Sequence, residues 1–260
     1  MASPLREFSK SGQKLPAIGL GTMLMAAVYG PASTQERVNE VLNRALEKGC
    51  LFWDTASVYS APGTLSDNER QIGSFLRSHP GSREKVFISS KFSIRCHIEE
   101  TMGALKELKD SGKIKYISVS EFTVEQLERA EKIVHIGESV SIIAAAPSFS
   151  LTLLSTPDGT TIVVYSPLGR GFLTDNFKSP TDLEEGHFRK SNPRFQGENF
   201  TKNLELMYVI PGTTSPDRLV ENIDAGKAEL SAEEVEEIDG VINSFKASGE
   251  RYPPGMKKAF

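Results

Sequence analysis

The sequence predicts an α/β fold in which a parallel sheet closes into a (β/α)8 TIM-type barrel, of which seven strands are recognisable. Short β-type segments alternate with longer amphipathic segments without a break in composition, which is typical of a parallel sheet covered by helices. No Gly-x-Gly-x-x-Gly motif follows the first predicted strand, and this favours the barrel over an open dinucleotide-binding sheet. Polar residues recur where strands end, as a barrel requires to build a site on one face; they are Asp54, Lys91, Ser120 and Ser166.

The predicted strands are short runs rich in β-branched and aromatic residues, bounded by turn-forming residues. In chain order they are Leu15–Gly21, Leu51–Asp54, Val86–Lys91, Ile114–Ser120, Val140–Ala145, Thr161–Ser166 and Tyr208–Pro211. Two connections have unusual lengths. Leu151–Thr160 is too short for a crossover helix, and Phe172–Phe200, rich in Gly, Pro and charge, predicts a long surface loop. We expect one barrel domain over residues 1–260, because no linker interrupts the pattern.

The predicted helices carry apolar residues at helical spacing along one face. Thr34 precedes the first helix as an N-cap, and Gly49 and Gly112 follow two helices as C-terminal stops. In chain order the helices are Thr34–Lys48, Asn68–Leu76, Ile98–Ser111, Val124–Val134, Ser215–Ala225 and Ser231–Asn243.

Composition excludes several classes of function. The 260 residues include 30 basic and 34 acidic side chains, for a net charge of −4, and no basic block suited to nucleic acid or anionic lipid stands out. No apolar run approaches the ~18 residues of a membrane span, and the first residues lack the apolar stretch of a secretory signal. Cys50 and Cys96 lack the spacing of a metal site or a disulfide framework. We therefore expect a soluble, cytoplasmic, globular protein without a metal site.

Three residues near strand ends suggest proton transfer. Asp54 ends the second strand, Tyr59 lies five residues further on, and Lys91 ends the third strand. A tyrosine has a reference pKa near ~10, and a neighbouring ammonium, itself anchored by a carboxylate, lowers such a pKa. This combination suits delivery of a proton to a developing alkoxide. The alternative is structural, with Asp54 capping a turn, Tyr59 packing on the rim and Lys91 in solvent.

Several separated motifs carry a family resemblance. They are FWDTASVY (52–59), NERQIG (68–73), VFISSKF (86–92), YSPLGRGFLT (165–174), NPRFQGENF (192–200) and IPGTTSPDRLVEN (210–222). In this order they resemble the aldo-keto reductase family, most closely its fungal and plant type. The resemblance extends from Gly19 to the C-terminal helices.

The resemblance implies a barrel that binds NADPH in an extended form and passes a hydride to an aldehyde or ketone. Asp54, Tyr59 and Lys91 match three of the family's four catalytic residues. It also implies that Ser120 binds the nicotinamide carboxamide and that Tyr165 stacks on the nicotinamide ring. The matching cofactor-binding positions are Gly21, Thr22, Met23, Asp54, Ser120, Tyr165, Ser166, Pro167, Leu168, Gly169, Arg170, Gly171, Gly212, Thr213, Thr214, Arg218, Glu221 and Asn222.

One part of this cofactor site has an independent physical basis. Residues 210–218 are a strand, a glycine turn and a helix start, whose free N–H groups and positive dipole end favour a phosphate. Arg218 adds a planar, permanently charged fork of donors that suits the 2′-phosphate of NADP. The alternative is that Arg218 is only an exposed arginine on a helix.

The sequence also departs from the family pattern. The fourth strand, the histidine that ends it and the preceding helix have no counterpart between Lys91 and the predicted helix at Ile98. His97 is expected to start that helix and not to replace the catalytic histidine. Ile143 stands where the family has a glutamine that binds the carboxamide, and Glu121 where many members have asparagine. A further segment is missing between Leu206 and Tyr208, so the barrel is expected to be incomplete.

Three functional hypotheses remain open. The first is an NADPH-dependent reductase of aldehydes or ketones with Tyr59 as proton donor. The second is an NADP(H)-binding pseudoenzyme with little or no turnover, because the histidine segment is absent. The third is a class I aldolase-like barrel in which Lys91 forms a Schiff base.

Overall fold

The computed structural model describes residues 5–7, 13–28, 30–92, 97–120, 122, 124–134, 136, 140–144, 161–165, 212–225 and 227, and isolated positions between 231 and 240. All structural statements below concern these residues. The predictions for Leu151–Thr160, Phe172–Phe200, Tyr208–Pro211 and most of Ser231–Asn243 lie outside them.

The described elements alternate as predicted. The strands are β1 (Leu5–Glu7), β2 (Lys14–Pro16), β3 (Leu20–Gly21), β4 (Phe52–Asp54), β5 (Phe87–Ser89), β6 (Val119–Ser120), β7 (Val140–Ala144) and β8 (Thr161–Tyr165). The helices are α1 (Gln35–Glu47), α2 (Asp67–Ser78), α3 (Ile98–Asp110), α4 (Val124–Glu131) and α5 (Pro216–Ala225), with a 3₁₀ turn at Met23–Met25.

The helix boundaries follow their capping residues. The Thr34 side chain accepts a hydrogen bond from the Arg37 amide at 3.3 Å, which starts α1 as predicted. Gly49 and Gly112 both have a φ of 72° beyond the ends of α1 and α3, a conformation that glycine adopts without strain. The sequence therefore predicted both ends of these helices correctly.

The strands differ more from prediction. The first predicted strand divides into β2 and β3, since Pro16 ends β2 and has no N–H to continue a ladder. The strand predicted over Ile114–Ser120 contracts to the two residues of β6. The antiparallel pair of β1 and β2 was not predicted at all.

Strand pairing joins the described barrel strands into two parallel groups. One has the order β3-β4-β5 and the other β6-β7-β8. Gly212, just before α5, pairs in parallel with Gly21 of β3, so the segment that leads into α5 lies against β3. A Cβ atom at Gly212 would come within 3.2 Å of the Gly21 carbonyl oxygen, which explains why a glycine stands at this seam.

The apolar core consists of two clusters that follow the two sheets. The first packs α1, α2 and α5 on β3 and β4, and its fully buried members include Trp53, Phe75, Leu42 and Leu219. The second packs α3 and α4 on β6 around Met102 and other apolar residues. Among the described residues, no helix has the length and apolar character needed to span a bilayer.

Candidate active site

The ends of β3, β4 and β5 lie side by side. In register, Gly21 faces Asp54 and Asp54 faces Ser89. Backbone hydrogen bonds extend the pairing past the strands, from the Thr22 amide to the Asp54 carbonyl at 3.0 Å and from the Thr55 amide to the Ser89 carbonyl at 2.9 Å. Because the carboxyl ends of parallel strands share one edge, the residues that follow them converge there.

Lys91 is held at this edge by three acceptors. Its Nζ donates to Asp54 Oδ1 at 2.6 Å, to Asp54 Oδ2 at 2.7 Å and to the Thr55 carbonyl at 2.8 Å. The three N–H donors of Lys91 thus face three oxygens. The side chains of Lys91 and Asp54 are only 19% and 20% exposed. This arrangement fixes a charged ammonium and leaves it poorly suited to the neutral, nucleophilic role that a Schiff base demands.

The Asp54 carboxylate is in an electrostatically mixed environment. Burial raises its pKa above the ordinary value of 3.8, while the Lys91 charge and hydrogen bonds from Lys91 and Ser89 lower it. The carboxylate therefore depends on the Lys91 ammonium to remain charged at this depth.

Tyr59 faces the same ammonium. Lys91 Nζ lies 5.3 Å from the centroid of the Tyr59 ring, within the range of a cation–π contact. The Tyr59 amide donates to the Ala56 carbonyl at 3.0 Å, and the Tyr59 carbonyl accepts from the Asn68 amide at 3.1 Å. The structure thus brings together all three residues, Asp54, Tyr59 and Lys91, that the sequence selected.

The loop between Tyr59 and α2 is held by a carboxylate. Asp67 Oδ2 accepts from the Ala61 amide at 3.1 Å and also from the Thr64 hydroxyl. The hydrogen bonds from Thr64 and Ala61, with a smaller contribution from Arg70, lower the pKa of Asp67 below its ordinary value.

Some of the predicted cofactor positions at the strand ends lie within the described residues, and others lie outside them. Thr22 is fully buried, and its hydroxyl is directed at the Asp54 carbonyl and Asn68 Oδ1. Its backbone amide and carbonyl are bonded to Asp54 and Met25, so its polar groups are all engaged within the protein interior. Met23 begins the 3₁₀ turn, and Ser120 ends β6, half-buried. Tyr165 ends β8 in register with Ala144. Ser166, Pro167, Leu168, Gly169, Arg170 and Gly171 lie outside the described residues.

The start of α5 is partly satisfied by its own hydroxyls. Thr213 Oγ1 accepts from the Ser215 amide at 3.0 Å, and Ser215 Oγ accepts from the Arg218 amide at 3.4 Å. Two of the N–H groups predicted to be free are therefore already engaged, because sequence alone does not show which hydroxyl turns back on its helix. Arg218 and Glu221 are exposed, and Thr214 and Asn222 are half-buried. Arg218 is the one cationic side chain in α5.

The departures from the pattern have structural counterparts. His97 is the exposed N-cap residue of α3, as expected of a helix-start residue. Ile143 lies in β7, in register with Val164, whereas Glu121 lies outside the described residues. Nowhere in the described part of the chain do three His, Cys, Asp or Glu side chains form a metal-binding group.

Sequence reasoning missed Thr55 as a site residue. Its contribution to Lys91 is a backbone carbonyl, which every residue has, so no residue type signals it. The available signal was its position directly after a strand-ending aspartate.

Comparisons with known proteins identify one family. The family model described as Aldo/keto reductase family matches residues 17–97 and 94–208. Aldo-keto reductase yakc (NADP(+)) of Schizosaccharomyces pombe is 31% identical over 334 residues, covering 98% of this chain and 96% of that protein. An aldo-keto reductase of Gibberella moniliformis is 30% identical over 312 residues, covering 92% and 94%.

Solved structures show the same fold. Glycerol dehydrogenase AKR11B4 from Gluconobacter oxydans matches with a TM-score of 0.74 at 18% identity, covering 98% of this chain and 99% of that one. An aldo-keto reductase from Klebsiella pneumoniae, solved in complex with NADPH, matches with a TM-score of 0.65 at 19% identity, covering 98% and 97%. These neighbours are (β/α)8 barrels, and the described strands form part of such a barrel.

The alignments also show where this chain is shorter. The alignment with the Schizosaccharomyces pombe protein runs over 334 residues, whereas this chain has 260, so at least 74 aligned positions have no counterpart here. The family model matches in two pieces that meet at 94–97, the position at which the sequence lacks the family's fourth strand. Because the family model matches residues 17–97 and 94–208 and the Schizosaccharomyces pombe relative is 31% identical over 98% of the chain, the chain belongs to the aldo/keto reductase family.

Proposed function

We propose that the chain is an NADP(H)-dependent oxidoreductase that reduces an aldehyde or ketone to an alcohol. The observation that carries the proposal is the Lys91 ammonium, held by Asp54 and Thr55 at 2.6–2.8 Å and placed 5.3 Å from the Tyr59 ring centroid. Family membership supports carbonyl reduction as the reaction class.

Each residue has a distinct part in the proposed step. When bound, NADPH supplies the hydride that adds to the carbonyl carbon. The Tyr59 hydroxyl gives its proton to the carbonyl oxygen, so that the C=O bond becomes an alcohol and the tyrosine is left as tyrosinate. The Lys91 ammonium stabilises that anion, and Asp54 holds Lys91 in place and balances its charge.

The described residues fit the phosphate-bearing end of this cofactor. Arg218 is exposed in the first turn of α5, and Gly212 precedes this helix at a position where a Cβ atom would crowd the Gly21 carbonyl. A guanidinium fork at a helix start suits a phosphate monoester. The names of the Schizosaccharomyces pombe relative and of the NADPH complex from Klebsiella pneumoniae support NADP(H) as the cofactor.

A second candidate is an NADP(H)-binding pseudoenzyme with little or no turnover. The observation that favours it is the short path from Lys91 to α3, which begins at Ile98, together with the break in the family match at 94–97. The segment that carries the family's fourth catalytic residue has no counterpart there. Such a protein would keep the Arg218 side chain for the nucleotide and lose orientation of the substrate carbonyl.

Two measurements distinguish the candidates. Calorimetric titration with NADPH tests binding, with Arg218→Ala as the variant and Arg37→Ala, on the exposed face of α1, as its matched control. NADPH consumption with a broad panel of aldehydes and ketones tests turnover. We expect Tyr59→Phe to lower turnover by about 10²–10⁴-fold, while Tyr116→Phe, which removes a phenol hydroxyl bonded to Gln13, leaves it unchanged.

Each outcome decides between the candidates. Turnover that survives Tyr59→Phe would overturn Tyr59 as proton donor. NADPH binding without turnover on any carbonyl would favour the pseudoenzyme. A folded chain that binds no NADPH would overturn both.

A further inference from the structure

Asn68 occupies an unusual position for an amide side chain. It is the second residue of α2 and is fully buried. Its Oδ1 lies 2.5 Å from the Thr22 hydroxyl and 2.7 Å from the Thr55 hydroxyl. A buried amide near a helix start can serve capping alone, but here its acceptor faces two residues that follow neighbouring barrel strands.

The orientation of this amide is determined by Gln71. Gln71 Nε2 donates to the carbonyls of Met25 and Ser33, both at 3.2 Å. Both of its donors are thus used, and its Oε1 accepts from Asn68 Nδ2 at 3.2 Å. The Asn68 oxygen must therefore face Thr22 and Thr55, and only an amide supplies the required acceptor and donor together.

The partners of Asn68 connect it to both members of the proposed proton-transfer pair. The Thr55 residue that bonds its side chain also supplies the carbonyl that holds Lys91 at 2.8 Å. The backbone amide of Asn68 donates to the Tyr59 carbonyl at 3.1 Å. Asn68 thus contacts both Thr55, whose carbonyl binds the Lys91 ammonium, and the backbone of Tyr59.

The neighbouring residue strengthens this connection. Glu69, next to Asn68 in α2, accepts a hydrogen bond from the Ser90 hydroxyl, and Ser90 directly precedes Lys91. The first turn of α2 therefore contacts the residues that follow β3, β4 and β5. A helix end bonded to three strand ends restrains their relative positions more than packing alone.

We propose that Asn68 is a positioning residue that sets the distance between the Lys91 ammonium and the Tyr59 ring, through Thr55 on one side and the Tyr59 carbonyl on the other. The importance of that distance for catalysis rests on the proposed function. The distance itself is a property of the protein without cofactor, so it is measurable whether or not the chain turns over.

The first test is NMR of the full chain with ¹³C-labelled tyrosine. The Tyr59 ring resonance is assigned by its loss in Tyr59→Phe, and Lys91→Met shows how it moves when the ammonium is removed. We expect Asn68→Ala to move it in the same direction, and the double variant to move it no further than Lys91→Met alone. Asn43→Ala, a half-buried asparagine of α1 bonded to His79, is the matched control and leaves the resonance in place.

A second variant keeps the test decisive if Asn68→Ala does not fold. Thr55→Val removes only the hydroxyl that bonds Asn68 and retains the shape and the carbonyl, so it is expected to move the Tyr59 resonance in the same direction. If the variants that fold lower the melting temperature and leave the Tyr59 resonance unmoved, Asn68 is only structural and the proposal is overturned.

Kinetics give a separate readout where turnover is found. Because a misplacement of about 1 Å can cost about 10²-fold in rate, we expect Asn68→Ala to lower kcat and to leave KM nearly unchanged. A change confined to KM would contradict the positioning role. Absence of turnover in the unaltered chain would count against the proposed reductase, whereas the NMR result would still decide the role of Asn68.

Discussion

The two sheet regions of this molecule contain different residues of the proposed site. The first region, residues 13–92 with 212–225, contains β3-β4-β5, the larger apolar cluster and the contacts among Asp54, Tyr59 and Lys91. The second region, residues 97–144 with 161–165, contains β6-β7-β8 and its own cluster. Ser120 and Tyr165, the predicted partners of the nicotinamide, end strands of the second region.

The border between the regions coincides with the lost segment. Residues 93–96 separate them, and the family match breaks at 94–97. The rings of Phe87 and Tyr116 meet across this border with centroids 5.6 Å apart. Each region has its own apolar cluster, and the hydrogen bonds that hold Lys91 lie within the first region. The proton-transfer pair is therefore built within one region, whereas the predicted cofactor site draws on residues of both.

The largest expected effects on stability come from truncating one large buried side chain in each apolar cluster. Phe75→Ala in the first cluster is expected to lower the free energy of unfolding by about 3–5 kcal/mol, and Met102→Ala in the second by about 2–5 kcal/mol. Trp53, the one tryptophan of the chain, reports only the first cluster, whereas far-UV circular dichroism reports both.

Urea unfolding followed by both signals tests whether the regions are separate. If they unfold separately, Met102→Ala moves the circular dichroism transition and leaves the Trp53 transition in place. Coincident transitions that move together in both variants would show one cooperative unit and remove the distinction between the regions.

The next effect concerns the ion pair of the first region. Lys91→Met leaves the Asp54 carboxylate without its counter-charge, and we expect the free energy of unfolding to fall by about 3 kcal/mol at pH 7. Burial already raises the pKa of Asp54. Without Lys91, both its charge and its hydrogen bond, which lower this pKa, are lost. In the folded variant Asp54 takes up a proton at a pH where the unfolded chain, with a pKa near ~3.8, remains ionised.

The pH dependence of this loss of stability follows from the raised pKa of Asp54 in the folded variant. The difference between Lys91→Met and the unaltered chain should shrink as the pH falls from 7 toward the unfolded pKa, measured by urea unfolding at several pH values. Lys106→Met, which breaks an exposed pair with Asp110, is the control and should show a small, nearly constant difference. A loss that grows on acidification would contradict the assignment.

Stabilisation by NADPH is a smaller effect, and it tests whether the cofactor site includes residues of both regions. NADPH at a hundred times its dissociation constant stabilises the state that binds it by about 2.7 kcal/mol. If Ser120 and Tyr165 contribute to binding as predicted, both unfolding transitions move to higher urea. Movement of the Trp53 transition alone would confine the site to the first region.

The smallest expected effects on stability concern one surface carboxylate in each region. Hydrogen bonds, chiefly from Thr64, lower the pKa of Asp67 in the first region, and those from Arg129 lower that of Glu99 in the second. Their stabilisation is present above the ordinary carboxyl pKa and is lost as the pH falls through the lowered values. Asp67→Asn and Glu99→Gln should each lower the melting temperature slightly at pH 7 and have less effect in acid. A larger response to Asp67→Asn than to Glu99→Gln would show that the loop after Tyr59 is more sensitive than the α3–α4 surface, and a larger response to Glu99→Gln would show the reverse.

Much of the candidate site was predictable because it depends on local patterns. Asp54 ends its strand as predicted, whereas β5 ends at Ser89 and Lys91 lies beyond it, not at its end. Both positions follow from apolar runs and turn residues, and residues at or after parallel strand ends share an edge. His97 was correctly predicted as a helix start, since helix boundaries depend on residues close in sequence. The contraction of the strand at Ile114–Ser120 was not predictable, because strand length depends on the neighbour with which it pairs.

The sequence by itself determined the order of the described helices and of the strands from β4 to β8, the family pattern and the position at which the family pattern is interrupted. These depend on residue type and on spacing along the chain. Only the tertiary structure decided that the Thr55 carbonyl holds Lys91, that Asn68 joins Thr22 to Thr55, and that Gly212 closes against Gly21. Such contacts join atoms far apart in sequence, many of them on the backbone, and their partners are set only when packing brings the strand ends together.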